Sequence, residues 1–156
     1  TTAIQANDLV GRKTARDVGQ MAKAMVANIE KTEGLLAQRS SSAAKAMLKR
    51  LTAARLALLD AIEFVAGNGK TAPNDAYAGS VPYLMLAGNV FAGWQMARSL
   101  LAAEDELAAG NDVDFMQAKI TTARFYAEHI LARAGGLRDS IVEGAASVTA
   151  LPIDAY

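Results

Sequence analysis

The single histidine of this 156-residue chain, His129, is the natural first candidate for chemistry. A di-iron centre in a helical bundle needs glutamates together with Glu-x-x-His pairs on facing helices. Three residues before His129 stands Tyr126, so that pattern is missing. His129 lies off the apolar seam of its helix and reads as a polar-face or interface histidine rather than a catalytic one. The acidic run Glu104, Asp105, Glu106 cannot cluster around one ion, because consecutive helical positions point in different directions. It reads as a solvated helix end. There is no cysteine, which excludes disulfides, thiolate ligands and thiol nucleophiles. No G-x-G-x-x-G, phosphate-binding loop or G-x-S-x-G occurs. Phe91 with Trp94, and Phe125 with Tyr126, have the spacing of core aromatics. By its own residues the chain displays no complete active site, and it has no metal-ligand set.

The elements that would carry these side chains are helical. The composition is 52% hydrophobic but only 6% aromatic, rich in alanine, leucine and methionine, with three prolines. Those are helix-forming residues, and strand formers are few. A short helix over 2–10 is expected to stop at Gly11. Thr14 and Asp17 then suggest a capping pair for a helix over about 14–32, with Val18, Met21, Met25 and Ile29 on its apolar face. A second long helix over 41–66 carries the stripe Met47, Leu51, Ala54, Leu58, Ile62, Val65. Residues 67–80 read as one long loop. A very apolar third helix over 81–109 follows, with Gly88, Ala92, Gly93 and Ala97 as smooth patches for a close neighbour. A fourth, over 112–134, is capped by Asp112 and lined by Val113, Met116, Ile120, Ala123, Ala127, Ile130 and Ala134. Gly135 and Gly136 end it, and a last helix covers 137–149. Short connections make neighbours antiparallel, so the fold class is all-α: an up-down antiparallel bundle of four main helices plus short terminal ones.

Charge narrows the partners. Basic and acidic residues number 16 each, yet residues 1–55 carry ten basic and four acidic groups while the remainder carries six and twelve. The basic half contains no aromatic, which argues against nucleic acid and for two electrostatically complementary halves or subunits. The third helix approaches membrane-spanning length, but Asn89, Gln95 and Arg98 interrupt it, so no membrane partner is expected. No basic-then-apolar leader is visible, and a cytoplasmic location is the expectation.

The opening stretch "TTAIQANDLVGRKT" resembles the last core segment of acyl-CoA dehydrogenases. The match rests on Thr1, Ile4, Gln5, Asp8, Leu9, Gly11, Arg12 and Lys13. "SVPYLMLAGNVFAGWQMAR" and "FMQAKITTARFYAEHILARAGGLRDSI" resemble the extra C-terminal helical domain of the methylmercaptopropionyl-CoA dehydrogenase-like branch. The resemblance implies a parent that uses FAD and an acyl-CoA substrate, whose catalytic glutamate lies in a Tyr-Glu-Gly just upstream of Thr1. No catalytic residue would then lie in this chain. It further implies that Thr1, Thr2, Ala3 and Gln5 lie near the FAD phosphates or adenosine. Ala3 departs from the pattern, because relatives often have a polar residue or Gly there. The alternative is that Thr2 caps a short helix and Gln5 faces solvent. Residues 1–13 would be the tail of the core domain and 14–156 the helical bundle domain. The partners would be the rest of the dehydrogenase chain and further copies in a homo-oligomer. Ile4, Leu9 and Val10 would lack burial unless they fold back on the bundle or pack on a second chain. A competing reading is a free-standing helical module that binds a protein partner through the third helix or the 67–80 loop.

Overall fold

The computed structural model describes residues 1–155, and among them every regular element is helical. The chain opens with α1 (Thr2–Asp8), which runs without a break into a π-helical segment (Leu9–Ala15). Gly11 therefore does not stop the helix. Ala6, Val10 and Thr14, each four residues apart, are all fully buried. A four-residue step overshoots one α-helical turn, and the wider i→i+5 winding offsets that drift, keeping the three on one face. The segment closes with the Gly19 amide donating to the Thr14 carbonyl at 2.8 Å.

Val18 and Gly19 then reverse the chain with positive φ of 55° and 77°. At Gly19 the space is also closed, since a Cβ would sit 2.9 Å from the Ile62 side chain. Asp17 alone caps α2 (Gln20–Ala37): its carboxylate accepts from the amides of Gly19 and Met21 at 3.1 and 3.0 Å. Thr14 is no part of that cap, and α2 starts six residues later than the sequence suggests. Of its expected apolar face, only Ile29 is buried. Val26, Ile29, Thr32, Glu33 and Leu36 point inward, whereas Val18, Met21 and Met25 are exposed.

Helix α3 (Ser42–Asn68) is the centre of the fold. Its expected stripe from Met47 to Val65 is buried at every position. Ser41 caps it by accepting from the Ala44 amide at 2.9 Å. The expected loop holds a short helix, α4 (Pro73–Ala78), with Pro in its first turn. Next comes α5 (Ser80–Ala108), the longest element, burying Tyr83, Leu86, Val90, Gly93, Ala97 and Leu100. Gly93 is needed for closeness: a Cβ there would meet Leu131 at 2.7 Å. Gly88 and Ala92, by contrast, face solvent.

The fourth main helix is shorter than its sequence pattern. α6 (Val113–His129) ends before a 3₁₀ turn (Leu131–Arg133) and α7 (Ala134–Val142). Gly135 and Gly136 lie inside the first turn of α7 rather than ending a helix. Asp112 precedes α6 with a φ of 41° and makes no side-chain cap. Of the expected seam, Ala123, Ala127 and Ala134 are buried, but Val113 is exposed and Met116 only half-buried. The reason is overhang. Glu104 bonds to Ser41 at the start of α3, so the α5–α6 hairpin beyond it extends past the end of α3. A last short helix, α8 (Ala145–Val148), and a 3₁₀ turn (Ile153–Ala155) complete the described chain.

Polar groups set the helix rotations. Arg55 on α3 donates to Glu33 at 2.8 Å and to Glu30 at 2.8 Å, both on α2. Trp94 on α5 donates to Thr32 at 2.7 Å. Arg39 lies 2.6 Å from Asp105, and Lys23 lies 3.4 Å from Glu63, so the basic and acidic halves do meet at these two places. Within the acidic run, Glu104 and Asp105 thus reach the α2–α3 turn, while Asp105 and Glu106 stay exposed as a solvated end would.

Leu51→Ala, at the middle of the α3 seam, is expected to lower unfolding free energy by about 2–5 kcal/mol in urea titrations. Asp17→Ala removes the only side-chain cap of α2 and is expected to cost about 1 kcal/mol in the same measurement.

Candidate functional site

The segment that carries the opening motif lies on the bundle instead of trailing from it. α1 packs on α5, and the π segment packs on both α3 and α5. Val10 is fully buried and Leu9 half-buried, so of the three apolar residues only Ile4 remains open, at 74% exposure. Thr14 is fixed by a hydrogen bond of 2.9 Å between its hydroxyl and that of Tyr83. Gly11 lets the Tyr77 hydroxyl lie directly against the helix backbone, where a Cβ would collide with it. Ala15 meets Gly69 just as closely, since a Cβ on that glycine would sit 2.6 Å from the Ala15 methyl. The motif residue Arg12 pairs with Asp8 at 3.1 Å, one turn earlier.

The four residues singled out from the sequence share the first turn and a half of this run. Thr1, Thr2, Ala3 and Gln5 are all exposed. Thr1 occupies the cap position without a side-chain bond, and its carbonyl accepts from the Gln5 amide at 3.0 Å. Thr2 is the first helical residue and not the cap. The structure brings two hydroxyls and one amide side chain together on an open surface, and Ala3 adds no polar group.

Sequence reasoning missed a cavity of about 260 Å³ between the π segment and the bundle. Leu9, Met21, Met25, Leu58 and Phe91 contribute apolar wall, and the exposed Lys13 lies at its edge. Tyr83 and Thr14, both buried, also border it. The one available signal was the pair Met21 and Met25, which fits a core stripe equally well. Burial pushes the Tyr83 phenol above its ordinary range, partly offset by the bond to Thr14.

Elsewhere the geometry is structural. His129 is exposed and stacks on Phe125, with ring centroids 4.4 Å apart. Tyr126 donates to the Asn89 carbonyl at 3.1 Å, joining α6 to α5. No group of three or more His, Cys, Asp or Glu able to hold a metal occurs among the described residues. No helix among them is long and apolar enough to cross a membrane.

Residues 13–152 match the family described as acetyl-CoA dehydrogenase C-terminal like. The chain belongs to that family, the C-terminal domain of acyl-CoA dehydrogenases. It is 49% identical over 131 residues to 3-methylmercaptopropionyl-CoA dehydrogenase of Ruegeria pomeroyi, an alignment covering 84% of this chain and 22% of that protein. It is also 30% identical over 146 residues to the broad-specificity linear acyl-CoA dehydrogenase of Mycobacterium tuberculosis, covering 84% of this chain and 23% of that protein. The chain thus spans less than a quarter of the length of either curated relative.

The Tyr83 shift has a definite sign. Its folded-state pKa lies above the unfolded value of about 10, so this group's contribution is complete below pH 10 and is lost as pH rises further. Burial raises the Tyr126 phenol too, so an alkaline titration at 295 nm is expected to show two late-ionising tyrosines, one of which disappears in Tyr83→Phe.

Proposed function

We propose that this chain is the docking and assembly part of an FAD-dependent acyl-CoA dehydrogenase, which removes hydrogen across the α,β bond of an acyl-CoA thioester. The observation that carries the reading is continuity. The family match begins at residue 13, and the helix holding the opening motif enters the bundle through that same residue with no linker. The start of the family match supports a boundary between a core tail at 1–13 and a bundle domain at 14–156, with the tail seated on the bundle through Ala6 and Val10. It also supports the rest of the dehydrogenase as the partner, within a homo-oligomer. The reading includes a cytoplasmic location for the parent.

The residues present fit FAD as one edge of its site. Thr1, Thr2 and Gln5 are exposed and make no side-chain hydrogen bond among the described residues, and hydroxyls with an amide suit phosphate and ribose oxygens. A single convex helical turn cannot enclose a flavin, so the remaining walls belong to other parts of the parent. When bound, FAD would supply the hydride acceptor for the reaction. The role of these residues is to hold its polar end, with Ala3 contributing backbone only. The α-proton is taken by a glutamate carried outside these 156 residues, acting as general base.

Intact mass, flavin absorbance and sedimentation of the complete gene product test this reading. A much larger yellow polypeptide is expected, with flavin loading reduced several-fold by Thr2→Val with Gln5→Ala. Removing residues 14–156 is expected to disturb the assembly state. A gene product that never binds flavin would overturn the dehydrogenase reading and leave the helical interaction module.

A further inference from the structure

We propose that the outer face of α6 is a dimer interface, on which a second copy of this chain packs with its own α6 parallel to the first. The proposal gives a surface to the homo-oligomer of the preceding section. It rests on that part of the reading and not on its flavin or substrate chemistry.

Spacing and exposure define the face. Phe115, Ala118, Thr122, Phe125 and His129 follow one another at alternating three- and four-residue steps, which keeps them on one side of a helix. All five are exposed, the two phenylalanines by 50% and 56%. The buried residues of the same helix, Ala123 and Ala127, point the other way, into the bundle. α6 therefore carries an inner stripe covered by this chain and an outer one left open. The outer stripe can be buried at little polar cost. The Thr122 hydroxyl already donates to the Ala118 carbonyl at 2.8 Å, so covering it leaves no unpaired donor. The His129 ring is already stacked on Phe125.

The same alternation suits a facing helix of the same kind, crossing at about 20°. Two such helices are closest at the middle and diverge towards their ends. Ala118 and Thr122 are small where the approach is closest, and Phe115 and Phe125 fill the wider gaps on either side. Aromatic pairs across those gaps attract beyond their buried area.

Charge selects a second copy and sets its direction. Asp114 lies on one flank of the stripe and Lys119 on the other. The one ion pair within α6 joins Arg124 to Glu128, so neither Asp114 nor Lys119 has a counter-ion among the described residues. Lys119 leans on the stripe itself, 5.2 Å from the centre of the Phe115 ring. In a parallel pair of heptads, a residue on one flank meets the residue five positions later on the facing helix. Asp114 then meets Lys119 of the second copy, and the twofold axis makes the same pair again. An antiparallel pair would bring Asp114 against Glu128 and set the two Lys119 side chains against each other. The strip is about 21 Å long and about 10 Å wide, well short of the roughly 800 Å² per partner of a standard interface. The isolated chain is therefore a weak dimer, with a dissociation constant of roughly 100 µM.

Sedimentation equilibrium of the 156-residue chain, up to about tenfold above that constant, tests the interface. Phe125→Glu is expected to abolish the dimer while leaving helix content and the thermal midpoint unchanged. Asp114→Lys is expected to weaken association about fivefold, and Asp114→Lys combined with Lys119→Asp to restore it. The chain has no cysteine, so Thr122→Cys supplies a single reporter. In the parallel dimer this position faces itself, and mild oxidation should link two copies, whereas Gln117→Cys on the flank should not. The same Thr122→Cys link is expected in the complete gene product, with flavin loading unchanged.

A chain that stays monomeric at the top concentration would overturn the proposal. So would a dimer indifferent to Phe125→Glu, which places the contact on another surface. Tighter association in Asp114→Lys would overturn the parallel arrangement. A complete gene product in which the Thr122→Cys thiol is shielded yet unlinked would make the rest of the parent the occupant. A complete product that links through this position but never binds flavin would uphold the interface and remove the dehydrogenase reading alone.

Discussion

A single helix, buried along its whole apolar seam, governs this architecture. The seam of α3 from Met47 to Val65 is buried along its whole length, and α2, α5, α6, α7 and the π segment all lean on that helix. Each covering helix must present a smooth or apolar strip to it, and the alanine-rich composition is the consequence. Small side chains allow close approach around one rod, and dispersion between well-packed neighbours then does the work that larger side chains would do elsewhere. The polar contacts decide rotation more than stability. Arg55 and Glu33 are both largely withdrawn from water, and such a pair gains little net free energy against its desolvation. What the pair does is choose which face of α2 looks inward.

That choice marks the limit of what the sequence alone reveals. The α3 seam is legible because its apolar spacing admits one solution. α2 offers two. Val18, Met21, Met25 and Ile29 form as good a stripe as Val26, Ile29 and Leu36, and the second wins because Glu33 and Thr32 on that side have partners in Arg55 and Trp94. Those partners lie 22 and 62 residues away, beyond any local pattern. Gly11 and the pair Gly135–Gly136 misled for a related reason. Glycine is a stop signal in an isolated helix, but tertiary packing at Tyr77 and on α3 overrides its modest intrinsic penalty.

The candidate site was legible in part for the same physical reasons. The opening motif can be recognised as a string of residue types, and Thr1, Thr2 and Gln5 are exposed. The burial of Val10 and Thr14 was not readable, because it depends on where Tyr83 ends up. The cavity beside them is a property of how three helices and the π segment meet, and no one of those segments encodes it. At the other end of the molecule, the α5–α6 hairpin carries exposed Val113 and Phe115 beyond the reach of α3, so a continuous apolar repeat there never became a continuous seam.

The unbroken helix from Thr2 to Ala15 has a mechanical consequence. At about 1.5 Å per residue it is a rod of roughly 20 Å, seated on α5 through Ala6 and clamped at its far end by Tyr83, Tyr77 and Gly69. A flexible tether would let the bundle tumble independently of whatever holds the first turn. A rod transmits torque. Adding one residue within α1 would twist the two ends by about 100° relative to each other. The length of this short helix is therefore an angular setting as much as a distance.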